Sequence, residues 1–483
     1  MTIDLAALAP ELILTAAACS VLVVDLLLPE RHKSAVMPVS VLGVLATLLA
    51  LLPLAGGPER ITLGGMFVVD RFAVLLKVLL CAAALLVLAI SHDYLQRDSI
   101  HQGEYYFLIL CSLLGMLTIA SSRDLIPIFV SLELVSVPTF VLTGLRKGDV
   151  RSNEAALKFF LFGILSTAVM LFGMSIIYGI TGTTNLAAVA DRLADQELLL
   201  SLATLSIFFV VVGFGFKISA FPFQWWVPDT YEGAPVPVAA FLSVASKIAG
   251  FVGLLQILFI AFIGLAKVWS PFLALVAVLT MTFGNLVALQ QRHLIRLLAY
   301  SSIGQAGYIL LPLGVASATN PAQNREAFAA SVVYLLIYAF MEVGAFAVAA
   351  AYGRRTGGYF VSDYAGLFNR SPALALAMTA FMFSLAGIPP FAGWAAKFFV
   401  FRAVINGGGG WLAAIMAINT VIALFYYAGV ARQMFFEPAG ELPVDIEVPS
   451  LMRTAIAVSA LVVVVVGVLP DLVGQLARIS TLV

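Results

Sequence analysis

Long apolar runs separated by short polar breaks repeat from one end of the chain to the other. Each run holds roughly 17 to 25 residues, enough to cross a hydrocarbon core of about 30 Å as an α-helix. The pattern predicts an all-α, polytopic membrane protein with about fourteen transmembrane helices. They cover 8–28, 36–55, 70–91, 104–120, 124–144, 154–180, 201–221, 235–259, 268–289, 294–314, 325–353, 372–388 with a continuation to 406, 411–436 and 450–475. No stretch long enough for a soluble domain is left over. The opening MTIDLAALAPEL has no positive n-region and no small-residue cleavage site, so it reads as the start of the first helix.

Three short motifs recur in order at a spacing of roughly 170 residues, which is how transporters built from two related halves announce themselves. Arg123-Asp124-Leu125-Ile126 opens the fifth predicted helix, and Arg292-His293-Leu294-Ile295 opens the tenth. Asn153-Glu154-Ala155 and Arg325-Glu326-Ala327 open the sixth and eleventh. Pro222-Phe223-Gln224-Trp225-Trp226 and Pro390-Phe391-Ala392-Gly393-Trp394 fall in the seventh and twelfth. Helices four to eight and nine to thirteen thus read as two copies of a five-helix unit. Five is odd, so the second copy enters from the opposite side, giving an inverted repeat. The expected division is 1–103 for three N-terminal helices, 104–259 and 268–436 for the two repeats, and 450–475 for a C-terminal helix. Pro222 in the seventh helix and Pro389-Pro390 in the twelfth each remove backbone donors and clash with the preceding turn, so both helices should be broken in mid-membrane. Such breaks are tolerated only where the freed carbonyls meet protein or water.

Composition sharpens the picture by exclusion. Hydrophobic residues make up 62% of the 483 and charged residues only 11%, against roughly 25% charged in soluble domains, so a water-soluble fold is ruled out. Cys19, Cys81 and Cys111 lie in apolar helices without CxxC or Cys/His spacing and read as packing residues. No Gly-rich phosphate loop, haem motif or cluster-binding cysteine set is present, so redox cofactors are expected in other chains. Alternating the loops between two sides gathers Arg31, Lys33, Arg97, Arg146, Lys147, Arg151, Arg292, Arg296, Arg354, Arg355, Arg370, Arg432 and Arg453 on one side, against seven Lys or Arg on the other. The positive-inside rule makes the rich side cytoplasmic and puts both termini outside.

A Lys, Glu or Asp in the middle of a spanning helix costs roughly 2.5 to 3.5 kcal/mol, so it normally faces a wet or protein-lined interior and has a task. Glu133, Lys217, Lys247 and Lys397 lie too deep in their predicted helices for easy snorkelling and are the candidate proton-carrying residues. Lys77, Lys158 and Arg402 lie nearer helix ends, where a structural ion pair or snorkelling explains them. Lys158 follows Glu154 by four residues, the spacing of a helix-surface salt bridge. Glu342 fits either reading. Two broken helices at matching places, each with a lysine nearby, point to a hydrated axis through the protein. If Glu133 approaches Lys217, the distance between carboxylate and amine decides whether the amine keeps its proton.

At this point the residues resemble a known family, the antiporter-like membrane subunits of respiratory complex I, and within it the N-type subunits of bacterial NADH-quinone oxidoreductase. The resemblance covers nearly the whole chain. Its most specific stretches are RDLIPIFVSLELVSVPTFVL, SNEAALKFFLFGILSTAVMLFG, GFKISAFPFQWWVPDTYEGAPVPVAAFLSVASKIAGF, RLLAYSSIGQAGY and SLAGIPPFAGWAAKFFVF. It implies proton translocation in the bacterial inner membrane, coupled to quinone reduction elsewhere. Glu133 would modulate Lys217, Lys247 would bridge two half-channels and Lys397 would end the axis. Pro222, Gln224, Gln305, Pro389, Pro390 and Lys158 would support them. The complex would use NADH, FMN, iron–sulfur clusters and quinone through other subunits. The implied partners are K-type and M-type neighbours, the lateral helix of an L-type subunit and the lipid bilayer, with no nucleic acid.

Lysine rather than glutamate at the twelfth-helix position argues against the M-type, and a chain that stops after the fourteenth helix argues against the L-type. Two positions depart from the family pattern. Where the family usually reads PFH at the first break and SSIxH in the tenth helix, this chain has Gln224 and Gln305. An amide does not titrate, but it can order a water between neighbours. Two competing readings are a cation/proton antiporter subunit of the Mrp type, marked by sodium-dependent exchange, and a scaffold that pumps nothing, in which neutralising Lys217 would leave activity intact.

Overall fold

The computed structural model describes residues 3–97, 102–194, 200–438, 447–479 and 482. Three arginines counted for orientation, Arg31, Arg97 and Arg354, have side chains outside the described set. The N-terminal helices are α1 (Leu5–Leu27), α2 (Val36–Ala55) and α3 (Arg71–Arg97). The first repeat follows with α4 (Gln102–Ser121), α5 (Leu125–Thr143), α6 (Val150–Thr181), a short α7 (Leu186–Ala194), α8 (Leu200–Lys217), α9 (Trp226–Gly233), α10 (Val236–Phe241) and α11 (Lys247–Gln256). The second has α12 (Ala266–Ala288), α13 (Leu294–Leu310), α14 (Pro321–Thr356), a short α15 (Leu367–Arg370), α16 (Pro372–Ala386), α17 (Ala392–Asn406) and α18 (Gly410–Phe436). α19 (Ser450–Val468) and α20 (Asp471–Ile479) close the chain.

Twelve helices among the described residues are long and apolar enough to cross a membrane. The shorter apolar helices Ser201–Lys217 and Pro372–Ala386 belong to the two broken crossings, continued by α9 and α17, and bring the total to the predicted fourteen. Both breaks fall at the prolines, and each contains a cis peptide bond, Phe221-Pro222 and Pro389-Pro390. The eighth crossing runs unbroken in direction from Val236 to Ala261, but residues Leu242–Ser246 and Ile257–Ala261 wind as π-helix. Burial ranks the helices from axis to rim. The Val236–Ala261 crossing and α14 are 94% buried, whereas α1, α18 and α19 are 39% buried and present Leu, Val and Phe to the outside.

The repeat is written in the backbone as well as in the motifs. Leu125 N–H donates to the Thr184 carbonyl and Leu186 N–H to Arg123, at 2.9 and 3.0 Å. In the second half Leu294 N–H donates to Tyr359 and Val361 N–H to Arg292, at 2.7 and 2.8 Å. Each unit thus pins the start of its second helix to the loop after its long third helix through the same antiparallel bridge.

Three elements differ from the sequence reading. Pro470 ends α19 at Val468, and α20 lies beyond it with Val473, Gly474 and Ala477 buried and charged Asp471 and Arg478 at its ends. A proline cannot continue the helix, so the final run predicted to 475 is two helices. The loop before α8 contains α7, which buries Leu186 and Val189. A small hairpin, β1 (Arg60–Thr62) paired with β2 (Phe67–Val69), precedes α3.

Candidate proton-translocation axis

Lys217 is the last residue of α8, where the chain leaves the helix toward Pro222, and it is only 4% exposed. Its ammonium donates to Ser136 Oγ at 3.0 Å, and Ser136 in turn donates to the Leu132 carbonyl at 2.6 Å. Glu133 lies one turn away from Ser136 on the same face of α5, and its charge reaches Lys217, yet no direct ion pair forms. One carboxylate oxygen of Glu133 is buried without a protein partner. The ammonium is thus held by a serine and not by the carboxylate.

Beyond Lys217 the backbone is constrained. Ser219 has φ +66°, in the left-handed region, where a non-glycine residue is held at a cost on the order of 1–3 kcal/mol. The polar groups freed by the break are collected by neighbours: Phe221 N–H donates to Thr280 Oγ1 at 2.9 Å, and Trp226 Nε1 donates to the Phe216 carbonyl at 3.1 Å. Gln224 sits inside this turn, fully buried, with neither amide atom paired to protein. Among the described residues, Ser219 Oγ and Thr230 Oγ1 are likewise unpaired.

Lys247 starts α11 directly after the π-helical stretch, 1% exposed, and donates to the carbonyl and hydroxyl of Ser302 at 2.9 and 3.0 Å. A π-turn advances the chain more slowly than an α-turn and is a frequent device at functional sites. It aims the lysine at α13, where Gln305 lies one turn further along. Gln305 is fully engaged: it donates to the Leu385 carbonyl at 3.1 Å and to Tyr427 OH at 3.0 Å, and accepts from Tyr334 OH at 2.5 Å. The two glutamines thus differ, one a cross-link to the second break and the other an unpaired amide in the first.

Lys397, in α17, points back across the second break and donates to the carbonyl of Ala386, the last residue of α16, at 2.8 Å. A helix end leaves carbonyls without partners, and here a lysine takes one of them. The ammonium also lies over the Tyr308 ring, 4.6 Å from its centroid. Gly387 turns the chain with φ +91°, and Ser384 Oγ accepts from Gly393 N–H at 3.0 Å.

The other charged candidates lie elsewhere. Lys158, 41% exposed at its side chain, pairs with Glu154 and Asp229 at 2.8 Å each, and Arg296 joins Asp229 and Glu232 at 3.0 and 2.7 Å. The cluster ties α6, α9 and α13 together. Arg402 pairs with Glu326 at 2.9 Å. Lys77 is not a snorkelling residue. It is fully buried, 2.6 Å from a carboxylate oxygen of Glu11 of α1 and 4.9 Å from the Phe67 ring centroid. The ion-pair alternative therefore holds for Lys77, but sequence reading did not name its partner, because α1 delivers Glu11 and no local spacing signals that. It also missed Ser136, Ser302 and Tyr308, whose only sequence signal is a polar atom one turn from a known site residue, as in Glu133/Ser136 and Ser302/Gln305.

Comparison with known proteins places the chain in a family. Residues 122–423 match the family described as NADH:quinone oxidoreductase/Mrp antiporter, transmembrane. NADH-quinone oxidoreductase subunit N 2 of Streptomyces griseus is 41% identical, with 99% of this chain and 94% of the relative covered. F(420)H(2) dehydrogenase subunit N of Methanosarcina mazei is 37% identical, covering 99% and 98%. Among solved structures, a chain of respiratory complex I from Thermus thermophilus superposes with TM-score 0.80 at 30% identity, over 97% of this chain and 99% of that one. Full-length identity of this order to N subunits, on a fold with two broken helices and a row of buried lysines, makes the chain a member of the NADH:quinone oxidoreductase/Mrp antiporter membrane family, in its subunit N branch.

Proposed function

We propose that the chain moves protons along Glu133, Lys217, Lys247 and Lys397, driven by quinone reduction in neighbouring subunits. The observation that carries this is shared by all three lysines. Each is buried, beside a break or a π-helical stretch of its crossing, and bonded to neutral oxygens instead of a carboxylate. A lysine locked in a tight ion pair would hold its proton; one held by a serine or a carbonyl can give it up when the field changes. An approaching carboxylate stabilises the ammonium and a receding one lets the proton leave. Motion of Glu133 relative to Lys217 would supply that change. Protons would pass the unpaired atoms of Ser219, Gln224 and Thr230 along ordered water, which buried polar groups without protein partners recruit.

In this reading the repeats divide at 104–259 and 268–436. Both termini face the outer side of a bacterial inner membrane, with the Lys158–Asp229–Arg296 cluster at the cytoplasmic face. K-type and M-type subunits and the lateral helix of an L-type subunit are its neighbours, and NADH, FMN, iron–sulfur clusters and quinone are handled by other subunits. The native complex tests this. Purified from its own cells and reconstituted in vesicles, it should oxidise NADH in preference to reduced F420, reduce quinone, and acidify the vesicle lumen equally with or without sodium. Sodium-dependent exchange without NADH oxidation would favour an Mrp-type antiporter instead.

A further inference from the structure

Glu342 belongs to none of the steps above, yet it is fully buried near the centre of α14, and neither of its carboxylate oxygens has a protein partner. A lone carboxylate in that position is costly, and such residues persist in membranes where they have a task. Its neighbours on α14 locate it. One turn earlier, Tyr338 OH donates to the carbonyl of Ser243, inside the π-helical stretch that leads to Lys247, at 3.0 Å. One turn later, Phe346 packs edge-on against Tyr231 of α9, with ring centroids 6.1 Å apart. The adjacent Met341 accepts from Ser384 at the second break at 2.8 Å. Glu342 thus sits where α9, the π-helical stretch and the second break converge.

Polar atoms lead to it from the Asp229–Arg296 cluster. In α9, Asp229 and Glu232 point into the exposed cluster with Arg296. Between them in sequence, Thr230 Oγ1 is buried and unpaired among the described residues, and Tyr231 OH is buried within reach of the Glu342 charge. On the far side, the Glu342 charge also reaches Lys247.

We infer that Glu342 loads Lys247: water running from the Asp229–Arg296 cluster past Thr230 and Tyr231 protonates its carboxylate, which then passes the proton to the lysine amine. In the second step the carboxyl O–H breaks as an Nζ–H forms, leaving carboxylate beside ammonium. Only the first step changes the net charge of the pair, by one. This inference rests on the proposed translocation reading and adds a second inward route, which reaches Lys247 without crossing Lys217.

The test is the proton-to-electron ratio of the whole complex in vesicles for Glu342→Gln, Glu342→Asp, Lys247→Ala and Lys217→Ala. The expected result is that Glu342→Gln lowers the ratio by the same fraction as Lys247→Ala, while Glu342→Asp, shorter but still titratable, keeps most of it. A purely structural carboxylate would give the reverse, since glutamine matches its size. A wild-type ratio in Glu342→Gln, or loss in both Glu342 variants alike, overturns the inference. If Glu342→Gln does not assemble, loss of pumping in an assembled Glu342→Asp complex overturns it equally. Lys217→Ala separates the two levels: a normal ratio there sinks the translocation reading itself, and a lowered ratio beside normal Glu342→Gln sinks only this step.

Discussion

The two glutamines that replace the family's usual histidines should respond oppositely to one substitution, leucine, which keeps the approximate length and removes the amide. Gln305→Leu deletes three hydrogen bonds. Tyr427 keeps Ser301 as a partner, so the groups left stranded are the Leu385 carbonyl and the Tyr334 hydroxyl. Both are buried, and a buried polar group left unpaired costs about 1–3 kcal/mol, so the expected loss is about 2–6 kcal/mol. Gln224→Leu breaks no bond to protein, and exchanging unpaired polar atoms for apolar ones is close to neutral for stability. It does remove the polar lining of the first break. The assay pairs thermal inactivation of the detergent-solubilised complex with proton pumping in vesicles. Gln305→Leu should inactivate at clearly lower temperature, and Gln224→Leu should keep wild-type stability while losing most pumping. Equal destabilisation by both, or undiminished pumping in Gln224→Leu, would refute the distinction.

The buried Lys77–Glu11 pair gives a second expectation: Lys77→Met alone should destabilise by about 3–5 kcal/mol by stranding the carboxylate, and adding Glu11→Leu should recover most of it, as a double-mutant cycle on complex stability will show. Orientation gives a third. Gly148 is exposed beside Lys147 and an added Cβ there meets nothing within 4 Å, so in a chain with its native cysteines replaced, Gly148→Cys should react only with membrane-permeant maleimides in intact cells. Labelling by an impermeant reagent from outside would reverse the assigned topology.

Much of this architecture is legible in the sequence because a bilayer demands about twenty apolar residues per crossing and little in a soluble loop imitates that. The breaks are legible through Pro222 and Pro389-Pro390, and the repeat through motifs such as Arg123-Asp124 and Arg292-His293. The features that escape depend on which helices become neighbours. Ser136 as the acceptor of Lys217, Tyr308 under Lys397 and Glu11 beside Lys77 all come from other helices, so no spacing along the chain names their partners. The π-helical turn before Lys247 escapes for another reason: no residue type encodes it, since the stretch Leu-Ser-Val-Ala-Ser would serve equally in an α-helix. Pro470 was available to end the last crossing early, but the apolar run before it masks the stop.

The account stands or falls on whether Lys217 carries protons. The direct measurement is the number of protons moved per NADH oxidised by the assembled complex in sealed vesicles, with Lys217→Ala against the unaltered chain. The account predicts a complex that still assembles and transfers electrons to quinone while its proton-to-electron ratio falls. An unchanged ratio in a fully assembled Lys217→Ala complex would contradict it.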